Sequence, residues 1–216
     1  MTASAKKSQK SGLYIVIEGQ DGTGKTTQVN LLAQYFADQG REVTTFDEPA
    51  GLPSTDAMRD IIKNKDLDLD GTTQLLLFTA ARNELWKKKA EPVLARGGVV
   101  LTSRNWWSTL AYQGYGQGVK LEKIKQITRK LLPKHYVEPD KAVILVLSEK
   151  ERIKRMQKRD QNSKKDTFES KPSEFQMKVN QGYETIASEL KIPVVDASAT
   201  IDEVHANICK NIINML

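Results

Sequence analysis

Short runs of branched apolar residues alternate along this chain with longer stretches in which apolar positions recur every three or four residues. The runs Leu13 to Ile17, Val43 to Phe46, Val99 to Leu101, Val143 to Leu147 and Ile192 to Val195 are apolar at successive positions, which predicts strands covered on both faces. The longer stretches predict helices over Lys25 to Gln39, Thr55 to Lys63, Thr72 to Ala95, Asn105 to Gln113, Leu121 to Leu132, Glu149 to Arg159, Pro172 to Leu190 and Ile201 to Ile213. Gly40 stands where a helix C-cap belongs, Gly97-Gly98 separates the long middle helix from the third strand, and Gly114 to Gly118 reads as a flexible turn. Strand and helix in alternation imply an α/β fold, a doubly wound five-stranded parallel sheet flanked by helices, with ligands beyond the carboxyl ends of the strands.

One of those ends carries chemistry. The stretch "IEGQDGTGKTTQ", Ile17 to Gln28, follows the first strand and opens the first helix, and Gly19, Gly24, Lys25 and Thr26 fit the spacing G-x-x-x-x-G-K-[ST]. In such a loop backbone N–H groups surround phosphates, the lysine reaches the outer ones and the hydroxyl meets Mg²⁺. Gly19, Gln20, Asp21, Gly22, Thr23, Gly24, Lys25, Thr26 and Thr27 are therefore the expected ATP-binding residues, with Thr26 as a metal ligand and Thr27 at the α-phosphate or capping the helix. The loop alone fits an ATPase, a GTPase, a motor or a kinase. No [NT]-K-x-D segment follows the fourth strand, which leans toward ATP and a small acceptor.

Composition narrows the class. At 216 residues the chain suits one large domain, expected over 13–216 behind a polar tail at 1–12. No run approaches a membrane span of about 20 apolar residues, the tail lacks the apolar core of a signal peptide, and the single cysteine, Cys209, fits a reducing compartment, so a cytoplasmic protein is expected. The net charge of +6 is spread out rather than striped with aromatics, so nucleic acid is not an expected partner. Lys87 to Lys89 read as a solvated face, and Trp106 and Trp107 as packing or pocket-mouth residues.

Three further groups sit where they could face the same crevice: "FDEP" at Phe46 to Pro49, "LLFTAARNEL" at Leu76 to Leu85, and "TSRNWWSTLAYQG" at Thr102 to Gly114. With the phosphate loop and a late strand ending in Val-Asp-Ala, they make the chain resemble the thymidylate kinase family from Leu13 nearly to the C-terminus. The resemblance implies a P-loop nucleotide-kinase fold, ATP and Mg²⁺, a pyrimidine deoxynucleotide acceptor and a homodimer. It implies that Phe78 stacks on the base and Arg82 bonds its carbonyl edge, and positions i and i+4 of a helix do share a face. It implies further that Ser108, Thr109, Tyr112 and Gln113 close the base and sugar pocket, that Asp21 meets the 3′-hydroxyl, and that Glu48 beside Pro49 positions the acceptor or a Mg²⁺-bound water. Arg104 is implied to grip the acceptor phosphate with Arg59 nearby, and Asp196 and Ala197 to lie against adenine. A basic lid at about 155–170 is implied to bring Arg155 and Arg159 to the reacting phosphates, as in family members that have a plain glycine at the position of Gly22.

Three residues depart from the family pattern: Asp47 stands where the family has Arg, Ser103 where it has Asp, and Thr167 where it has the lid Arg. Asp47 could take over the Mg²⁺ shell from Ser103, because neighbouring strands lie about 4.8 Å apart, and Lys164 or Lys165 could cover for the missing lid cation. The same departures keep two alternatives open. One is a deoxynucleoside kinase in which Glu48 or Asp47 is a general base on the 5′-hydroxyl; the other is a catalytically inactive nucleotide-binding protein.

Overall fold

The computed structural model describes residues 11–159 and 167–213. Five strands, β1 (Leu13–Gly19), β2 (Val43–Asp47), β3 (Val99–Ser103), β4 (Lys141–Val146) and β5 (Val194–Asp196), form one parallel sheet in the order β2-β3-β1-β4-β5. The chain leaves β1 for β2 and β3 on one side and later for β4 and β5 on the other, so the loop after β1 lies where the crossovers diverge, the ligand position in such sheets.

β1 shows why its apolar run is unbroken. Leu13, Ile15 and Ile17 point to one face, where they meet Val29, Leu32 and Phe36 of α1 (Lys25–Asp38) and Val204, Ile208 and Ile212 of α10 (Ile201–Ile212). Tyr14 and Val16 point to the other, against α3 (Gly71–Leu85), α5 (Trp106–Thr109) and α9 (Ser173–Leu190), through Leu75, Leu85, Trp106, Trp107, Val179 and Tyr183. Each face buries its apolar side chains, the main stabilising term of such a three-layer arrangement.

Several boundaries differ from the sequence expectation for packing reasons. The expected helix Thr72 to Ala95 is divided: α3 ends at Leu85, a wide π turn spans Trp86–Ala90, and the short α4 (Glu91–Ala95) follows, with Trp86 and Ala90 buried. The stretch read as a flexible turn is instead largely helical, because α5 continues as a π turn through Leu110–Gly116. Its glycines serve close packing. A Cβ on Gly116 would lie 2.5 Å from the Phe175 ring of α9, and one on Gly114 would lie 2.5 Å from Leu121 of α6 (Leu121–Leu131). Two short elements escaped the periodicity altogether, the 3-10 turn Lys65–Leu67 and α7 (Lys134–Val137), each shorter than two helical turns. The remaining helices are α2 (Pro53–Lys63) and α8 (Glu149–Arg159). Among the described residues no helix is long and apolar enough to cross a membrane.

Gly19 ends β1 with φ at +137°, and a Cβ there would lie 2.4 Å from the Leu145 carbonyl oxygen of β4. Both the conformation and the space require glycine. Gly19→Ala is expected to cost about 3 kcal/mol or more, read as a lower urea midpoint with an unchanged slope; a loss under about 1 kcal/mol would contradict this account.

Candidate active site

The loop after β1 turns into α1 with Gly22 and Gly24 at φ +87° and +89°, and Gly24 is the N-cap. Thr27, inside α1, does not cap it. These left-handed conformations bend the backbone around an open centre, and the positive end of α1 faces it. The Gln20 carbonyl holds the loop by accepting from Thr23 Oγ1 and from Lys25 Nζ, both at 2.8 Å. The Gln20 side chain turns away, donating at 2.9 Å to the Gln176 carbonyl of α9. Burial, with Arg104 nearby, brings the Lys25 ammonium down to about 8, while Asp21 and Asp47 work the other way.

Two clefts open from this loop. The larger, about 540 Å³, runs past Asp47, Glu48, Pro49, Arg59, Phe78 and Arg82 to Thr109, Tyr112 and Gln113. The smaller, about 270 Å³, is bounded by Thr23, Gln28, Ala197, Ala199, Ile201 and Val204. Gly22, Gly24, Thr27 and Arg155 line both, and Thr26 lines the larger. Arg155 is held there by its bond to the Ala197 carbonyl at 2.8 Å. Ala197 thus falls at the smaller cleft, whereas the Asp196 carboxylate accepts from the Ser198 N–H at 2.9 Å in a local turn.

The wall of the larger cleft contains a buried ion pair. Arg82 donates from Nε to Glu48 Oε2 at 2.8 Å, from Nη1 to Thr109 Oγ1 at 2.6 Å and from Nη2 to the Asn105 carbonyl at 2.7 Å. Tyr136, from α7, donates to the same Glu48 oxygen at 2.8 Å. Burial pushes the Glu48 carboxyl up to about 7 against the opposing pull of Arg82 and Tyr136. Glu48 Oε1 and Ser103 Oγ are buried without a hydrogen-bond partner among the described residues. The Arg82 guanidinium lies 5.2 Å from the Phe78 ring centroid, so the i, i+4 pair does present one face. Phe168, from the far end of the expected lid, stands 6.3 Å from Phe78 and 5.6 Å from Tyr112, ring to ring.

Arg104 follows β3 with φ at +75°, a strained conformation for a residue with a side chain. Its N–H is bonded to the Ile17 carbonyl at 3.0 Å. From Nη2 it donates to Asp21 Oδ1 at 2.5 Å, while Tyr112 donates to Asp21 Oδ2 at 3.2 Å. Burial alone would raise the Asp21 carboxyl, but Arg104 and Lys25 hold it well below the usual carboxylate range. Ser108 is turned inward: its hydroxyl meets Glu18, Tyr183 and Arg104. Gln113 donates to Gln74 Oε1 at 3.0 Å at the back of the cleft.

Two clefts, the larger lined by aromatic and cationic side chains, meet at one glycine-rich loop. The family model described as Thymidylate kinase matches residues 17–208. The chain belongs to the thymidylate kinase family. Thymidylate kinases of Exiguobacterium sibiricum and Prosthecochloris aestuarii are 32% and 35% identical to it, over 95% and 94% of this chain and 96% and 93% of their own. The crystal structure of thymidylate kinase from Ehrlichia chaffeensis superposes with a TM-score of 0.74 at 28% identity, covering 93% of this chain and 98% of that one.

Within this family fold, most of the cleft residues expected from sequence line the larger cleft and Thr23 and Ala197 the smaller, whereas Gly19, Gln20 and Asp196 line neither. The Arg159 side chain, Lys164, Lys165 and Asp166 lie outside the described residues. Sequence reasoning missed Glu18, Tyr136, Phe168 and Tyr183. Of these only Glu18 gave a local signal, a carboxylate at the end of a strand otherwise apolar on both faces.

In the folded chain Glu48 keeps its proton to about pH 7, against 4.5 as its ordinary value. Between those values the folded state binds more protons, so the stability tied to Glu48 falls as pH rises from about 4.5 to 7, by at most about 3 kcal/mol, and is level above. Arg82→Met removes the pull on Glu48 and should make that fall deeper and extend it to higher pH. Urea midpoints from pH 5 to 8.5 should show the variant about 3 kcal/mol less stable than wild type at pH 8 and nearer to it at pH 5; equal losses at both pH values would contradict the pairing.

Proposed function

We propose that this protein moves the γ-phosphoryl group of ATP onto thymidine monophosphate, giving thymidine diphosphate for DNA precursor synthesis. The observation that carries the reading is the shared phosphate loop: Gly22, Gly24, Thr27 and Arg155 border both clefts, so a donor in the smaller and an acceptor in the larger would meet there. Adenine would rest against Ala197, Ile201 and Val204. The pyrimidine would stack on Phe78, beside Phe168, with its polar edge toward Arg82 and Thr109. Holding both reactants in line supplies much of the catalysis of such transfers, and fixed cations supply the rest.

Each cation has a distinct place in that scheme. Lys25 and Arg155 would neutralise the transferring phosphoryl oxygens from the donor side. Arg104 would take the acceptor phosphate: its Nη1 is engaged by protein oxygens and its Nη2 by Asp21, which leaves Nε–H and one Nη2–H for a ligand. Arg59 lines the same side. Asp21, with Tyr112, would meet the sugar hydroxyl. Glu48 is committed to Arg82 and Tyr136 rather than standing ready as a base for a nucleoside hydroxyl.

The residues present suit Mg²⁺, a hard cation that keeps waters and takes one or two protein oxygens beside the phosphates. Thr26 and Asp47 would hold it, and the buried, unpartnered oxygens of Glu48 and Ser103 are suited to bond its waters. Asp47 and Ser103 are register partners across β2 and β3, so the carboxylate absent from position 103 is replaced on the adjacent strand. When bound, the ion shields the charge of the phosphate oxygens. A homodimer and a cytoplasmic location accord with this reading.

Purified protein with ATP and Mg²⁺ should convert thymidine monophosphate to the diphosphate and leave thymidine unphosphorylated, as followed by chromatography; phosphorylation of thymidine alone would overturn the assignment. Asp47→Asn should lower kcat on the order of tenfold or more and raise the Mg²⁺ concentration needed for half-maximal rate. Unchanged turnover and Mg²⁺ dependence would remove Asp47 from the metal site.

A further inference from the structure

Glu18 is fully buried at the end of β1 and lines neither cleft, yet both of its carboxylate oxygens are held by several donors. Oε1 accepts from the N–H groups of Asn105 and Ser108 at 2.8 and 3.0 Å, and Oε2 from the Gly19 N–H at 3.2 Å. The hydroxyls of Ser108 and Tyr183 each reach Oε2 at 2.9 Å. Those two hydroxyls are also the acceptors for Arg104 Nη1, at 3.0 and 3.3 Å.

A hydroxyl has one hydrogen and two lone pairs. If both hydrogens are drawn to the buried carboxylate, both sets of lone pairs are left for the guanidinium. We infer that Glu18 is the positioning residue that aims Arg104 at the acceptor phosphate, acting through the hydroxyls of Ser108 and Tyr183. Asp21 fixes the other end of the fork through Nη2. Between these two anchors the side chain keeps one orientation on a backbone already held at φ +75°. The carboxylate thus works at one remove, ordering an arginine that it does not touch.

The inference rests on the proposed acceptor and makes a sign prediction. Glu18→Gln removes a negative charge near Arg104, which by electrostatics alone should strengthen phosphate binding. Positioning predicts the opposite, because an amide N–H facing the two hydroxyls needs their lone pairs and turns a hydrogen toward the guanidinium. Calorimetric titration of wild type and Glu18→Gln with thymidine monophosphate and with thymidine separates the two. The expected result is an affinity for the monophosphate lower by about tenfold or more, with thymidine affinity changed less than about twofold. Tighter monophosphate binding, an unchanged ratio, or equal loss for both ligands would overturn the inference. If Glu18→Gln does not fold, Ser108→Ala/Tyr183→Phe retains the carboxylate and removes the relay; it should show the same selective loss, and an unchanged ratio would overturn the inference equally. A wild-type protein with no preference for the monophosphate would refute the proposed function, and this assignment with it.

Discussion

Charge buried beside a cleft has to be neutralised within the protein, and the Arg82–Glu48 pair meets that demand in a way that fixes the surrounding structure. A buried pair is weak evidence for stability, but loss of one partner leaves an uncompensated charge, so its neighbours are strongly constrained. Here the residue just after β2 is Glu48, α3 supplies Arg82, α7 supplies Tyr136, and the segment after β3 supplies Thr109 and the Asn105 carbonyl. Four parts of the fold are thereby locked together around one guanidinium. The Phe78 ring, one helical turn from Arg82, inherits its placement from that lock.

Arg104 presents the same problem with a different solution. Its charge is balanced by Asp21 from the phosphate loop, while the neutral hydroxyls of Ser108 and Tyr183 accept from its Nη1. Glu18 stands behind these two hydroxyls and does not itself touch the guanidinium. The loop is coupled to the rest through the same region, since Gln20 bonds Gln176 of α9, and Gln176 bonds the Phe168 carbonyl beside the cleft.

The family departures take on a shape in this arrangement. Asp47 and Ser103, two of the departures, are register partners on adjacent strands β2 and β3. Thr167, in place of a lid arginine, donates to the Lys63 carbonyl at 2.7 Å and ties the returning chain to the end of α2.

The sequence by itself determined the five strands, the principal helices and the phosphate loop, because apolar periodicity and the glycine spacing are local properties of the chain. Phe78, Arg82 and Arg104 were marked only by the resemblance to the thymidylate kinase family, since by themselves an aromatic on an apolar helix reads as core and an arginine as a surface cation. What only the tertiary structure decided is which groups meet across distant segments. Tyr136 comes from a four-residue helix too short to show a period, Tyr183 lies 165 residues from Glu18, and Gly114 and Gly116 serve the close approach of α6 and α9 rather than a turn. Hydrogen-bond partners of buried charge are chosen by where the layers pack, and no local pattern encodes that choice.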